Sequence, residues 1–326
     1  MSIVRRLAIA SSTGLLLLAA ASAHAQPPRP ECIAPAKPGG GFDLTCKLAQ
    51  SALMESKQLT NPMRVVYMPG GIGAVAYNTI VAQRPSDENA IVAFSSGSLL
   101  NLAQGKFGKY NVNDVRWLAA IGADYGMISV RADSPYKSLK DLATALKADP
   151  TKVVFGAGGT VGSQDWMKTA LIAKKAGVAP QQMRYVAFEG GGEVTTALLG
   201  GHIQAASGDL SEAVPMLEAG KIRILAVLAN ERMPGALNKI PTAKEQGFDL
   251  NWPIIRGFYV GPKVSNEQYA FWEQAFKKSM ATPEFAKLRA NRDLFPFSMT
   301  GAALDTYIKR QVKEYQDLAA EFSLVH

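Results

Sequence analysis

The chain has 326 residues, of which 48% are hydrophobic and 19% charged, and its formal net charge is +8. These fractions are ordinary for a globular protein, and the length allows two domains of roughly 100 to 200 residues each. The positive charge is spread along the chain without Lys/Arg clusters or a recognised motif, so nucleic-acid binding is disfavoured.

The N-terminus has the order of an export signal. Arg5 and Arg6 precede an apolar run over residues 7–21, and Ala23-His24-Ala25 follows that run. This order predicts a secretory signal peptide over residues 1–25, cleaved after Ala25. We therefore expect a free periplasmic protein.

Two cysteines follow this leader, in a compartment where disulfides can form. Cys32 lies on the first predicted strand and Cys46 in the first turns of the following predicted helix. A bridge between them is plausible, and two buried free thiols are the alternative.

From Glu31 onward, short apolar runs, glycine-rich turns and helical stretches alternate, which predicts an α/β fold with mostly parallel sheets flanked by helices. Predicted strands lie at 64–68, 90–94, 117–122, 127–131, 152–156, 183–188, 203–207, 222–228 and 257–261. Predicted helices lie at 44–56, 139–147, 165–176, 211–218, 266–280, 283–291 and 302–322. Two crossings, at 117–131 and near 246–256, predict a discontinuous lobe one (26–125 and 250–326) and a lobe two (126–249).

Four glycine-rich turns connect a predicted strand to the following helix, at 37–43, 69–73, 156–163 and 189–193. Glycine lets a ligand approach the backbone closely, and a helix start offers unpaired N–H groups and a partial positive charge. Any single turn is also explained as a tight connection, and we expect a purely structural role for the turn at 69–73. Several such turns together favour a small-anion site.

Rival functions find less support. Gly156, Gly158 and Gly162 nearly reproduce the dinucleotide fingerprint, with Glu189 near the position of a ribose-binding acid, but the third glycine is displaced by one position. After the leader the sequence has only His202 and His326, which leaves almost nothing for a His-centred hydrolase or a zinc site. We expect no enzyme, no cofactor and no metal.

Several segments carry a more specific likeness: the first loop at 38–43, the loop at 156–163, and the stretches 189–193, 197–202, 220–227 and 240–247. Through them the chain resembles, from Glu31 to the C-terminus, the periplasmic substrate-binding receptors of tripartite tricarboxylate transporters, the Bug-type receptors. Segments 31–37, 162–167, 207–211 and 252–257 look like the tricarboxylate-binding branch of that family.

The resemblance implies a two-lobed periplasmic binding protein fold that closes on citrate or a related tricarboxylate in the interlobe cleft. It also implies delivery to a membrane permease of one large and one small subunit. A receptor for a dicarboxylate and a receptor that presents its ligand to a membrane sensor kinase are the alternatives. We expect a monomer.

The expected ligand-binding groups come from both lobes. Lobe one is predicted to offer N–H groups at a helix start and hydroxyls from a second loop: Gly40, Gly41, Phe42, Ser95, Ser96 and Ser98. Lobe two is predicted to offer Gly158, Gly159, Thr160 and Ser163, with Gln164 as an amide donor. Lys37 and Arg256 are predicted to neutralise ligand charge, the alternatives being a solvated lysine and an interlobe salt bridge. Asp43 is interpreted as a helix cap or loop brace, because a carboxylate repels an anion.

Overall fold

The computed structural model describes residues 26–324, so the predicted signal peptide lies outside the described residues. The first half of the chain alternates strands and helices: β1 (Glu31–Ala34), α1 (Gly41–Glu55), β2 (Arg64–Tyr67), α2 (Ala74–Ala82), β3 (Ala90–Ser95), α3 (Ser96–Ala103), β4 (Arg116–Arg131), α4 (Leu139–Ala148). The second half continues with β5 (Val154–Gly158), α5 (Gln164–Lys175), β6 (Arg184–Phe188), α6 (Gly191–Leu199), β7 (Ala205–Asp209), α7 (Leu210–Glu218), β8 (Ile222–Leu228), β9 (Pro253–Val260), α8 (Asn266–Met280), α9 (Pro283–Ala290), β10 (Met299–Thr300), α10 (Gly301–Glu321).

Two sheets organise these elements. The first has the order β2-β1-β3-β9-β4-β10, in which β9 runs antiparallel to both β3 and β4. The second has the order β6-β5-β7-β4-β8, in which β4 runs antiparallel to its neighbours. We call the part of the molecule around the first sheet lobe one and the part around the second sheet lobe two. The predicted α/β class with flanking helices is confirmed. The sheets are mixed, because the pairings of β4 and β9 with their neighbours are antiparallel, and an apolar run in the sequence does not indicate strand direction.

Strand β4 belongs to both sheets. Its first part pairs with β9 and β10, and residues 126–131 pair with β7 and β8. The sequence predicted two separate strands here, because 123–126 interrupts the apolar run; the structure has one continuous strand. The chain returns to lobe one just before β9, where Gly126 N–H donates to Trp252 C=O at 2.9 Å. The lobe boundaries at 125/126 and 249/250 stay predictions.

The C-terminal helix α10 also joins the lobes. Its Leu304, Ile308 and Val312 are buried in the core of lobe one. Beyond its end, Phe322 packs edge-on against Trp166 of lobe two with ring centroids 6.3 Å apart. None of the helices within residues 26–324 has the length and apolarity needed to cross a membrane.

A disulfide ties the first strand to the first helix. Cys32 on β1 and Cys46 on α1 are joined, with their Cα atoms 5.6 Å apart, and both are fully buried. In the chain-entropy model, closing a loop of about 15 residues contributes about 3 kcal/mol to stability. Because α1 is anchored near its start, its N-terminus holds a fixed position at the edge of the sheet.

Candidate functional site

The carboxyl ends of parallel strands from both sheets face one another across the cleft between the lobes. At these ends β1 and β3 lead into α1 and α3, and β5 and β7 lead into α5 and α7. The helix starts surround a small cavity of about 40 Å³, which we call the inner cavity. Eight predicted residues line it: Gly40, Gly41, Phe42, Ser95, Gly158, Ser163, Gln164 and Arg256. This is the edge of an α/β sheet at which ligands bind.

Arg256, on β9, lies at the centre of this cleft and is almost fully buried. Its Nη2 donates to Asp124 Oδ2 at 2.8 Å and to Asp209 Oδ2 at 2.7 Å. Ser211 also donates to Asp124, from Oγ at 2.6 Å. The guanidinium is thus neutralised by carboxylates of the protein itself, one of them from lobe two. Of the two predicted interpretations, the interlobe salt bridge is the arrangement in the structure.

A buried lysine that the sequence did not single out extends this network. Lys168 Nζ lies 2.7 Å from Asp165 Oδ1 and 3.1 Å from Asp209 Oδ1, and it donates to Gly208 C=O at 2.7 Å. Gln164 Nε2 also donates to Asp209, at 3.2 Å. The predicted amide donor therefore already has an acceptor within the protein. Asp209 links Arg256 to Lys168 across the cleft.

Glu212, in the first turn of α7, completes the cluster. Gly41 N–H, at the start of α1 in the other lobe, donates to Glu212 Oε1 at 2.6 Å. Arg256 Nη2 lies 3.6 Å from the same oxygen, beyond good hydrogen-bond length. Burial and the charge of Asp209 raise the pKa of Glu212 to about 8, against the opposing effect of Arg256. Burial likewise raises the pKa of Asp165 to about 6, against the opposing effect of Lys168.

The three predicted serines of lobe one use their hydroxyl groups within the protein, and Ser95 and Ser98 cap α3. Ser95 Oγ accepts from Gly97 N–H at 3.2 Å, and Ser98 Oγ accepts from Ser95 N–H at 3.3 Å. Ser96 Oγ accepts from Ile255 N–H at 3.0 Å. The prediction that these serines share a loop is wrong, because α3 begins at Ser96 directly after the strand. Its first residues are all buried, so no polar face marked the helix in the sequence.

In lobe two, the loop after β5 uses several predicted donors within the protein. Gly158 N–H donates to Asp165 Oδ2 at 3.2 Å, and Gly159 N–H donates to Phe188 C=O at 2.8 Å. Ser163 Oγ donates to Gly158 C=O at 2.8 Å and caps α5. These bonds fix the loop that lines the lobe-two side of the inner cavity.

Two charged residues of the first loop lie apart from the inner cavity. Asp43 accepts from Gly39 N–H at 2.9 Å and from Tyr67 Oη at 2.8 Å, which is the arrangement of a loop brace. Lys37 Nζ lies 2.5 Å from Glu193 Oε1 of lobe two, with half of the lysine side chain exposed. The hydrogen bond and the charge of Glu193 raise the pKa of Lys37. A role for Lys37 in neutralising ligand charge stays a prediction.

A larger cavity of about 410 Å³, which we call the outer cavity, lies between the lobes beside the inner one. Thr160 and Gly159 line it from lobe two, and Ile72 of lobe one lines both cavities. Ile72 has a φ of 50°, an uncommon conformation for a β-branched residue. A Cβ on Gly159 would lie 2.8 Å from Ile72 Cγ1, so glycine allows this approach. The expectation of a purely structural turn at 69–73 stays a prediction, and the structure adds that Ile72 of this turn packs across the cleft.

The model for the tripartite tricarboxylate transporter family receptor matches residues 48–324. The chain belongs to this receptor family. A UPF0065 protein of Cupriavidus necator is 28% identical over 330 residues, covering 98% of this chain and 97% of that protein. A solved periplasmic transporter has a TM-score of 0.82 at 21% identity, over 92% of this chain and 99% of the other. MatC of Rhodopseudomonas palustris with bound malate has a TM-score of 0.77 at 19% identity, over 89% and 98%.

Membership makes the chain a transport solute receptor rather than an enzyme, and the similar structures give the α/β periplasmic binding protein fold. Three acidic side chains that sequence reasoning missed nevertheless line the inner cavity: Asp165, Asp209 and Glu212. Asp209 lies in segment 207–211, which resembles the tricarboxylate branch of the family. Repulsion between a carboxylate and an anionic ligand was considered only for Asp43, and no local signal selected the other three acids.

Proposed function

We propose that this receptor captures citrate or a related tricarboxylate between its lobes in the periplasm and delivers it to a membrane permease of one large and one small subunit. One contact carries the proposal. The N–H of Gly41, at the start of α1, already binds a carboxylate, that of Glu212, across the cleft at 2.6 Å. A helix N-terminus that accepts a carboxylate from the facing lobe has the chemistry to accept one from a ligand.

The size of the cleft determines how the ligand enters. The inner cavity, at about 40 Å³, has room for a water molecule or two, whereas small-molecule sites are usually about 300–1,000 Å³. The outer cavity adds about 410 Å³ beyond Ile72. A tricarboxylate therefore enters when the lobes separate, and it spans the two cavities. Binding favours the closed form only by the difference in ligand affinity between the closed and open forms.

A similar solved structure also supports the proposed ligand class. The similar structure of MatC holds malate, which is a small dicarboxylate. A receptor with this fold thus accommodates a small polyanion, and our proposal adds a third carboxylate. Calorimetry of the purified mature protein with citrate, isocitrate, succinate and glutamate tests the assignment. A preference for succinate over citrate would keep the receptor and reject the tricarboxylate.

A further inference from the structure

The buried cluster of the cleft holds more acids than bases. Four carboxyl groups, those of Asp124, Asp165, Asp209 and Glu212, surround two cations, Arg256 and Lys168. Every one of these side chains is at most 13% exposed. Buried charge without a partner is costly, and adding an anionic ligand to this cluster raises the cost further. The bound state therefore needs positive charge from another source.

Three of the four acids contact one of the two cations directly. Asp124 and Asp209 are hydrogen-bonded to Arg256, and Asp165 is paired with Lys168. Glu212 is different, because its close polar partner is the uncharged Gly41 N–H. The other carboxylate oxygen, Oε2, lies against the Cα of Gly191, where an added Cβ would come within 1.6 Å of it. Glu212 is thus the acid of this cluster that a proton, rather than a side-chain cation, would neutralise.

The position of Glu212 couples it to the ligand. It lines the inner cavity at the start of α1, the helix N-terminus to which we assign a ligand carboxylate. Facing it are Asp209 at the end of β7, Arg256 of β9, Asp124 of β4 and Asp165 of α5. Lys168 of α5 pairs with Asp165 and Asp209, and from α6 Glu193 pairs with Lys37. Burial and three nearby carboxylates raise its pKa to about 8, and Arg256 opposes them.

We propose that Glu212 is a specificity-determining residue that admits a carboxylate ligand to the inner cavity only together with a proton. This inference rests on the proposed function. In the bound state the neutral carboxyl group keeps Gly41 N–H as donor to one oxygen and donates its own O–H to a ligand carboxylate. Where Glu212 is ionised in the free protein, capture takes up one proton from solvent per ligand. The bond formed is Glu212 O–H, and the ligand keeps its own charge.

The test is citrate binding by the full mature protein between pH 7 and pH 9.5, for wild type, Glu212→Gln and Glu218→Gln. Glu218 is exposed at the other end of α7 and is the matched control. Above pH 8 we expect the wild-type affinity to fall by about tenfold per pH unit, as linkage to one proton requires. Glu212→Gln should bind with nearly constant affinity across the range, because its amide is always neutral. Glu218→Gln should follow wild type.

Calorimetry at pH 9 in two buffers of different ionisation enthalpy gives a second readout. We expect uptake of close to one proton per citrate by wild type and close to none by Glu212→Gln. Equal pH profiles for wild type and Glu212→Gln would overturn the inference and leave the receptor function standing. A glutamate preference that Glu212→Gln selectively removes would also overturn it, by assigning Glu212 to a ligand ammonium group. Failure of wild type to bind any carboxylate would instead refute the proposed function.

Discussion

The N–H of Gly41 and the carboxylate of Glu212 meet at 2.6 Å from opposite lobes. Gly41 begins α1 in lobe one, and Glu212 belongs to the first turn of α7 in lobe two. The contact places a carboxyl group at the positive end of a helix, an arrangement that favours its ionised form. It also joins the two lobes at the point where we place the ligand.

Closure of the lobes depends on a glycine at position 192. A Cβ on Gly192 would lie 2.7 Å from Pro38 C=O of the facing lobe, and that oxygen belongs to backbone, which cannot rotate aside. Gly192→Ala should therefore lower citrate affinity at least tenfold and increase the radius of gyration with citrate present. Alanine suits a helix better than glycine, so the free energy of unfolding should not fall.

Titration calorimetry and small-angle X-ray scattering check this pair of effects. Thr196→Ala, an exposed change on the same helix, is the control and should leave both unchanged. Wild-type affinity in Gly192→Ala would mean that the bound form is more open than this structure.

Arg256 should be essential to stability. Gln in its place would leave Asp124 buried without a cation and Asp209 with Lys168 alone, and breaking a buried pair in this way costs about 3–5 kcal/mol. Urea unfolding of Arg256→Gln should show a loss of that size. Arg310, exposed on α10, gives the comparison, and Arg310→Gln should change stability by less than about 1 kcal/mol. A loss below about 1 kcal/mol for Arg256→Gln would show that solvent reaches the cluster.

Stability should fall as the pH rises from about 5 to 8. The pKa of Glu212 is raised from 4.5 to about 8 in the folded protein, and burial raises those of Asp165 and Asp293 to about 6. The folded chain therefore binds more protons than the unfolded chain in this window, and unfolding becomes easier as pH rises.

Urea unfolding at pH 5, 6, 7 and 8 measures this slope. Glu212→Gln should flatten it between pH 6 and 8 and lessen it between pH 5 and 6, where Asp165 and Asp293 still contribute. Glu218→Gln should keep the slope between pH 6 and 8 and lessen only the part below pH 6, because the charge of Glu218 helps to raise the pKa of Asp293. Acids with lowered pKa values, such as Asp87 and Glu245, lose their contribution at lower pH. Stability that rises from pH 6 to pH 8 would refute the raised pKa of Glu212.

Much of the fold could be predicted from the sequence, because apolar runs and glycine turns are local signals. The turns at 37–43 and 156–163 do line the cleft, and Gly41 N–H donates to Glu212 in this structure, while its contact with a ligand stays a prediction. Helix α3 escaped prediction because its residues are all buried and show no helical polar face. Arg256 pairs with Asp124, 132 positions away in the sequence, and with Asp209, 47 positions away. A local sequence pattern does not predict contacts between residues so far apart.

Substitution of Lys37 distinguishes a role in ligand recognition from a role in closure of the lobes. Its ammonium group pairs with Glu193 across the mouth of the cleft, at 2.5 Å, and it is not among the residues that line the inner cavity. Lys37→Ala should therefore weaken citrate and succinate by the same factor, because it removes an interlobe contact common to both complexes. Glu193→Gln, which removes the same pair from the other lobe, should match it. A larger loss for citrate than for succinate in Lys37→Ala would assign Lys37 to the third carboxylate.

The central claim is that the interlobe cleft captures a tricarboxylate. Isothermal titration calorimetry of the mature protein at pH 7 tests it most directly, with citrate, isocitrate, succinate and glutamate as ligands. We predict one citrate per chain, with an affinity near micromolar, equivalent to about −8 kcal/mol, and weaker binding of succinate and glutamate. Absence of binding to every di- and tricarboxylate would contradict the account.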